Sequence, residues 1–330
     1  MNRRRALQKL ILVLFGLTVA LLVGECSVRL LGLAPDIVYV EKGRYRLSNN
    51  PLIGYEPVPG LAYDGRSLDF YDYRGTANSL GYRDYEHTVS KPAGRYRIIV
   101  IGDSIAAGHF IERSEDMFSS VLEHRLKTRG HDVEVLNFAV SGYSTEQEVA
   151  TLVERGLAFD PDLVVVAYCL NDRERNDGGI LATLVKEAKG VEGVGAERSI
   201  LHESALFRVL WYRVLKKHQQ RPRQFGAVTD DSVAASFARL GQVAKQHDFR
   251  TMVAIIPELT NLDDYRFADQ HEFVERLAAG IDMQVVDLLE PFRACGGKLG
   301  HDRYHPNVKG HHCAGNALAN SIEPLLKEPR

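Results

Sequence analysis

The chain has 330 residues, 45% hydrophobic and 25% charged, enough for one large domain or two small ones around a substantial core. A formal net charge of -2 and the lack of any long block of like charge exclude an electrostatic grip on a nucleic-acid backbone. The four cysteines (Cys26, Cys169, Cys295 and Cys313) form no CxxC pair, which argues against a zinc ribbon or a dense disulfide framework and leaves a Cys295–Cys313 pairing open.

In chain order, Arg3, Arg4, Arg5 and Lys9 precede the uncharged stretch 10–24 (LILVLFGLTVALLVG), which reads as the basic and apolar regions of a membrane anchor or export signal. Positive charge kept inside leaves the N-terminus cytoplasmic and sends everything after residue 30 across the membrane. Fifteen uncharged residues are fewer than the ~20 a spanning helix prefers, but Arg29 can snorkel and residues 30–33 continue the apolar character. No small-x-small cleavage site stands out and Glu25 spoils a lipoprotein box at Cys26, so an uncleaved anchor over residues 1–33 is expected.

Residues 34–94 are rich in Tyr, Gly, Pro and Asn and predict an irregular collar of short strands and turns. From residue 95 to 330 apolar runs of strand length alternate with amphipathic segments of helix length. Strands are expected at 96–101, 133–138, 163–167, 251–256 and 284–288, and helices near 116–128, 145–157, 231–247, 264–279 and 307–326. This alternation implies an α/β fold, a three-layer α/β/α sandwich on a parallel five-stranded sheet of the flavodoxin-like kind, plus an N-terminal transmembrane helix. Residues 173–228 break the pattern and read as a lid-like insertion, with a basic amphipathic segment containing Trp211 and Tyr212.

Open parallel sheets place ligands at the carboxyl ends of their strands. There the sequence offers Gly102-Asp103-Ser104-Ile105, the segment Asn137 to Gly142, Asn171-Asp172, and, after the fifth strand, Asp302-Arg303-Tyr304-His305. A serine hydroxyl needs a base to take its proton and a carboxylate to orient that base, and Ser104, His305 and Asp302 form such a set. The oxyanion that develops on attack needs preorganised donors worth about 3 to 4 kcal/mol each. The backbone N–H groups of Ser104 and Gly142 and the amide of Asn171 supply three.

These segments resemble, block by block, the SGNH hydrolase family, also called GDSL esterases and lipases. The resemblance spans residues 96–325. It implies Ser104, Asp302 and His305 as catalytic triad and Ser104, Gly142 and Asn171 as oxyanion hole. Ile105 in place of the usual Leu, and Cys169 where the third block often has Gly, depart from the pattern without removing a reacting group. The collar segment Asn78-Ser79-Leu80-Gly81-Tyr82-Arg83 is similar to that of membrane-anchored bacterial members, which places the expected location at the inner membrane with a periplasmic catalytic domain.

The expected activity is cleavage of an ester through an acyl-enzyme, on O-acylated or O-acetylated envelope or exopolysaccharide sugars or on lipid esters. Partners are thus a small-molecule or carbohydrate ester and the membrane, without nucleic acid. An O-acyltransferase would share the first half-reaction and hence the triad, and an inactive glycan-binding module would have no need of it. His301, His305, His311 and His312 beside Asp302 invite a zinc reading, but a metal site would leave Ser104 and Asn171 without a purpose, and no cofactor is required. His109 reads as a surface or lid contact.

Overall fold

The computed structural model describes residues 2–31, 33, 43–64, 73–170, 180, 184, 204–210 and 231–327. The chain divides into two compact units, Met1–Val40 with Val194–Gly226, and Glu41–Gly193 with Ala227–Arg330.

In the first unit α1 (Asn2–Leu30) contains a 20-residue window, Ile11–Leu30, of mean hydropathy 2.3, long and apolar enough to cross a membrane. The helix continues through Glu25 and Arg29 because these two pair with each other at 2.7 Å one turn apart. Glu25 also accepts the Ser204 hydroxyl at 2.8 Å and the Ala205 and Leu206 N–H groups at 2.9 Å, satisfying the open donors of the short helix Ala205–Leu210. Gly24 leaves room for that helix, since a Cβ there would come within 3.0 Å of Leu206 Cδ2. Apart from residues 180, 184 and 204–210, the lid-like insertion expected at 173–228, with Trp211 and Tyr212, lies outside the described residues.

The second unit opens with the collar, two antiparallel pairs, β1 (Tyr45–Leu47) with β2 (Tyr55–Pro57) and β3 (Ala62–Asp64) with β4 (Arg74–Thr76). A five-stranded, fully parallel sheet follows from β5 (Tyr96–Gly102), β6 (Val133–Asn137), β7 (Leu163–Cys169), β8 (Arg250–Ile256) and β9 (Gln284–Asp287), in the order β6-β5-β7-β8-β9. The β-branched runs of β5 and β7 fit a strand buried on both faces, and every residue of β7 is buried.

The helices are α2 (Phe118–Thr128), α3 (Thr145–Glu154), α4 (Asp231–His247), α5 (Ala268–Ala279), α6 (Leu289–Cys295) and α7 (Val308–Ile322). In α2 Phe118, Val121, Leu122 and Leu126 are buried at the spacing of one helical face, and α7 packs Ala314, Leu318 and Ile322 into the same core as β5 and β7. The expected α/β/α sandwich is therefore present, with its switch point between β5 and β7.

Several boundaries shift by a few residues, and one helix is added. The expected helix from 264 starts at Ala268, because 263–264 form a turn. Helix α6 was not foreseen. It is short and holds Pro291 in its first turn, where proline costs nothing but reads as a breaker. Asp302 therefore follows α6 and a loop, not the fifth strand directly.

A disulfide joins Cys295, the last residue of α6, to Cys313 in α7, with Cα atoms 6.4 Å apart across 18 residues of sequence. It staples the ends of the loop that carries Asp302 and His305. Replacing both cysteines by alanine is expected to lower unfolding free energy by about 3 kcal/mol from loop entropy, read as a lower urea midpoint.

Candidate active site

Ser104 leaves β5 in a turn made by its neighbours. Gly102 is required by space: a Cβ would meet that of Ala106 at 2.8 Å and that of Ala167 on β7 at 3.0 Å. Asp103, 1% exposed, accepts the Ile105 N–H on Oδ1 at 2.9 Å and lies 3.3 Å from the Ser104 hydroxyl on Oδ2, with Cys169 Sγ 3.7 Å away. The Ser104 carbonyl accepts the His109 N–H at 2.9 Å and closes the turn. Cys169 is thus a buried thiol that donates to Asp103 and takes no part in a disulfide.

The histidine that meets Ser104 comes from the far end of the chain. Ser104 Oγ lies 2.9 Å from His305 Nε2, and His305 Nδ1 lies 2.8 Å from Asp302 Oδ2. With Nδ1–H donated to the carboxylate, Nε2 is left as the acceptor that faces the serine proton. Asp302 Oδ1 accepts the backbone N–H groups of Tyr304 at 2.8 Å and His305 at 2.7 Å. Burial opposes the Asp302 charge, but the His305 side chain and these two N–H donors outweigh it and bring its pKa down to about 2. A bridge between Gly300 and Pro306 and the bond from His301 N–H to the His305 carbonyl at 2.8 Å hold the loop, while Asn307 caps α7 by accepting the Gly310 N–H at 3.0 Å.

His109 is a half-buried part of this site and not a surface contact. Its ring stacks on that of His305 with centroids 4.5 Å apart, and Phe110 meets His305 edge-on at 5.3 Å. Burial, with the His305 ring and the Arg44 guanidinium nearby, holds its pKa well below the usual histidine value. Phe110 adopts φ 65°, a left-handed backbone that a bulky residue takes only under constraint, here at the wall of the site.

The second segment runs beside this turn. Phe138 N–H bonds the Val100 carbonyl at 2.8 Å and Val140 N–H the Gly102 carbonyl at 3.0 Å, extending the β5–β6 pairing past the strand end. Asn137 ties the two loops together by donating to the Ala106 carbonyl at 2.7 Å. Gly142 then turns at φ 81°, a conformation that disfavours any side chain. Asn171 and Asp172, two and three residues beyond β7, lie outside the described residues.

The remaining histidines have other partners. His311 Nδ1 accepts the Phe118 N–H at 3.1 Å, and burial drives its pKa to about 3. His312 Nε2 pairs with Asp116 at 2.9 Å. Among the described residues no group of three or more His, Cys, Asp or Glu is placed to hold a metal ion.

Three collar residues bind the site loops: Arg83, which lies in the collar segment named above for its resemblance, and Arg44 and Tyr55, which carry no signal in the sequence. Arg83, 5% exposed, donates to the Gly108 carbonyl at 2.9 Å and the Glu112 carbonyl at 2.8 Å, gripping the loop after the nucleophile. Asn78 shapes the turn that presents it by accepting the N–H groups of Leu80 and Tyr82 at 3.1 and 2.9 Å.

The class this fold and serine-centred site define is that of ester hydrolases. The chain belongs to the GDSL-like lipase/acylhydrolase family, whose model matches residues 100–313. It is similar to an arylesterase of Vibrio mimicus, 34% identical over 76 residues, an alignment covering 23% of this chain and only 38% of that relative. Among solved structures, a lipase/acylhydrolase from Enterococcus faecalis aligns over 71% of this chain and 99% of its own at 16% identity and TM-score 0.45. A psychrotrophic esterase from Pseudoalteromonas sp. aligns over 70% and 99% at 14% identity and TM-score 0.43.

Proposed function

We propose that the protein is a serine esterase that removes ester-linked acyl groups, O-acetyl foremost, from envelope or exopolysaccharide sugars at the outer face of the bacterial inner membrane. The observation that carries the reading is the unbroken chain Ser104–His305–Asp302, with links of 2.9 and 2.8 Å. His305 Nε2 takes the Ser104 proton as Oγ attacks the ester carbonyl. The oxyanion is received by the N–H groups of Ser104 and Gly142 and the side-chain amide of Asn171. His305 then gives the proton to the departing alkoxide, and a water activated by the same imidazole releases the acid from the acyl-enzyme.

The location rests on the apolar window Ile11–Leu30 behind a cluster of arginines, with the N-terminus cytoplasmic. The Cys295–Cys313 disulfide supports it, since such bonds persist in oxidising compartments such as the periplasm. The sugar ester follows from that location, with lipid esters as the next substrate class.

The test has two arms. A fluorophosphonate should form a single adduct on the full-length protein, mapped by peptide mass spectrometry to Ser104. Incubation with purified acylated envelope polysaccharide should release acetate. An adduct elsewhere would overturn the mechanism, and release of fatty acid alone, from lipid, would move the substrate to the lipid class.

A further inference from the structure

Two collar residues converge on the residue before Gly142. The Tyr55 hydroxyl donates to the Ser141 carbonyl at 2.8 Å, and Arg44 Nη2 reaches Ser141 Oγ at 3.4 Å. Both side chains are buried, at 1% and 3% exposure. Tyr55 is itself fixed: its carbonyl accepts the Tyr143 hydroxyl at 2.5 Å, and its ring lies edge-on to Tyr45 and Tyr143 with centroids 5.4 and 5.2 Å apart. On the other side of Gly142 the Gln147 amide donates to the Ile53 carbonyl at 2.8 Å. The collar therefore holds the loop on both flanks of Gly142.

The Ser141 carbonyl and the Gly142 N–H belong to one peptide unit, which is trans, as is every peptide bond among the described residues. In a planar trans peptide the C=O and N–H vectors point in opposite directions, so an atom that fixes the oxygen fixes the direction of the N–H. At φ 81°, glycine has no side chain to resist a flip of that plane, so its orientation must come from outside. An oxyanion donor contributes only when its direction is set before the charge develops.

We propose that Tyr55 is a positioning residue for catalysis, its phenol pinning the Ser141–Gly142 peptide so that the Gly142 N–H faces the oxyanion, with Arg44 bracing the same residue through its hydroxyl. The inference rests on Gly142 being an oxyanion donor. Burial pushes the Tyr55 phenol well above its usual pKa, so the group remains a donor across the working pH range.

Tyr55→Phe keeps the aromatic packing and deletes the donor. In the full-length, detergent-solubilised enzyme it should lower kcat on p-nitrophenyl acetate about 10- to 100-fold, less than the loss of a whole donor, with KM within about twofold. Phosphonylation by a fluorophosphonate should slow in parallel, because the phosphoryl oxygen takes the oxyanion position. Tyr45→Phe, which deletes a hydroxyl from the same aromatic cluster, should leave kcat within about twofold.

Fluorophosphonate titration of active sites normalises each rate to folded enzyme, and Tyr55→4-fluorophenylalanine, of nearly the same shape as tyrosine, serves where Tyr55→Phe is too unstable to assay. Unchanged kcat per titrated site in these variants, or a fall in Tm alone, overturns the proposal while leaving the serine mechanism standing. Turnover that survives Ser104→Ala would overturn the mechanism itself.

Discussion

Ser104→Ala is expected to lower kcat on p-nitrophenyl acetate by about 10⁵- to 10⁶-fold and to abolish fluorophosphonate labelling, with the fold intact. The size follows from how the site is built. Asp103 and His305 meet at one hydroxyl, with Asp302 behind His305, and once that hydroxyl is gone the imidazole can act only on a water held in no fixed position. The fold survives because the turn is made by other atoms: Asp103 Oδ1 still accepts the Ile105 N–H, and the backbone carbonyl of residue 104 still accepts the His109 N–H. Near-ultraviolet circular dichroism and Tm should match the wild type. Turnover within a hundredfold of wild type would mean that another nucleophile does the work.

Most of that site was legible in the sequence because its parts obey local rules. Asp302 and His305 are three residues apart, so one tight loop brings the carboxylate to the ring. The Val and Ile run of β5 announces a strand buried on both faces, which fixes the strand end from which Ser104 emerges. What stayed hidden depends on partners without a sequence signature. Tyr55 and Arg83 bond backbone carbonyls, at Ser141 and Gly108, and any residue presents a carbonyl. The Cys295–Cys313 pairing needed the packing of α6 on α7, and α6 was concealed by Pro291.

A second Asp–His chain shows that side-chain connectivity alone does not define the site. His271 Nδ1 lies 2.8 Å from Asp287 and its Nε2 lies 2.7 Å from the Tyr265 hydroxyl. The oxygen at the end of this chain is a phenol whose pKa burial pushes up, and it accepts the Glu258 N–H at 3.1 Å. Glu258 in turn pairs with Arg303 at 3.2 Å, inside the loop of Asp302 and His305. The chain ties that loop to β9, and its histidine, 2% exposed, has no access to substrate. Strand-end position separates Ser104, in the turn that leaves β5, from Tyr265, whose hydroxyl is tied to the Glu258 N–H.

Asp302→Asn is expected to lower kcat by about 10⁴-fold, although it changes one atom. The backbone N–H groups of Tyr304 and His305 both point at Oδ1, so an asparagine must keep its oxygen there and turn its NH₂ toward His305 Nδ1. Nδ1 then has to accept, the ring proton moves to Nε2, and the imidazole presents a donor to Ser104 where the reaction needs an acceptor. The pH dependence has a definite sign. The Asp302 pKa is depressed from 3.8 to about 2, so the stability that its charge contributes is present above 3.8 and is lost as pH falls through about 2. The Asp302 carboxylate is therefore ionised throughout the range above pH 4, and the two proteins are compared there. Paired pH–rate profiles of the two proteins measure the difference directly. A variant within tenfold of wild type at every pH above 4 would show that the carboxylate does not set the tautomer of His305.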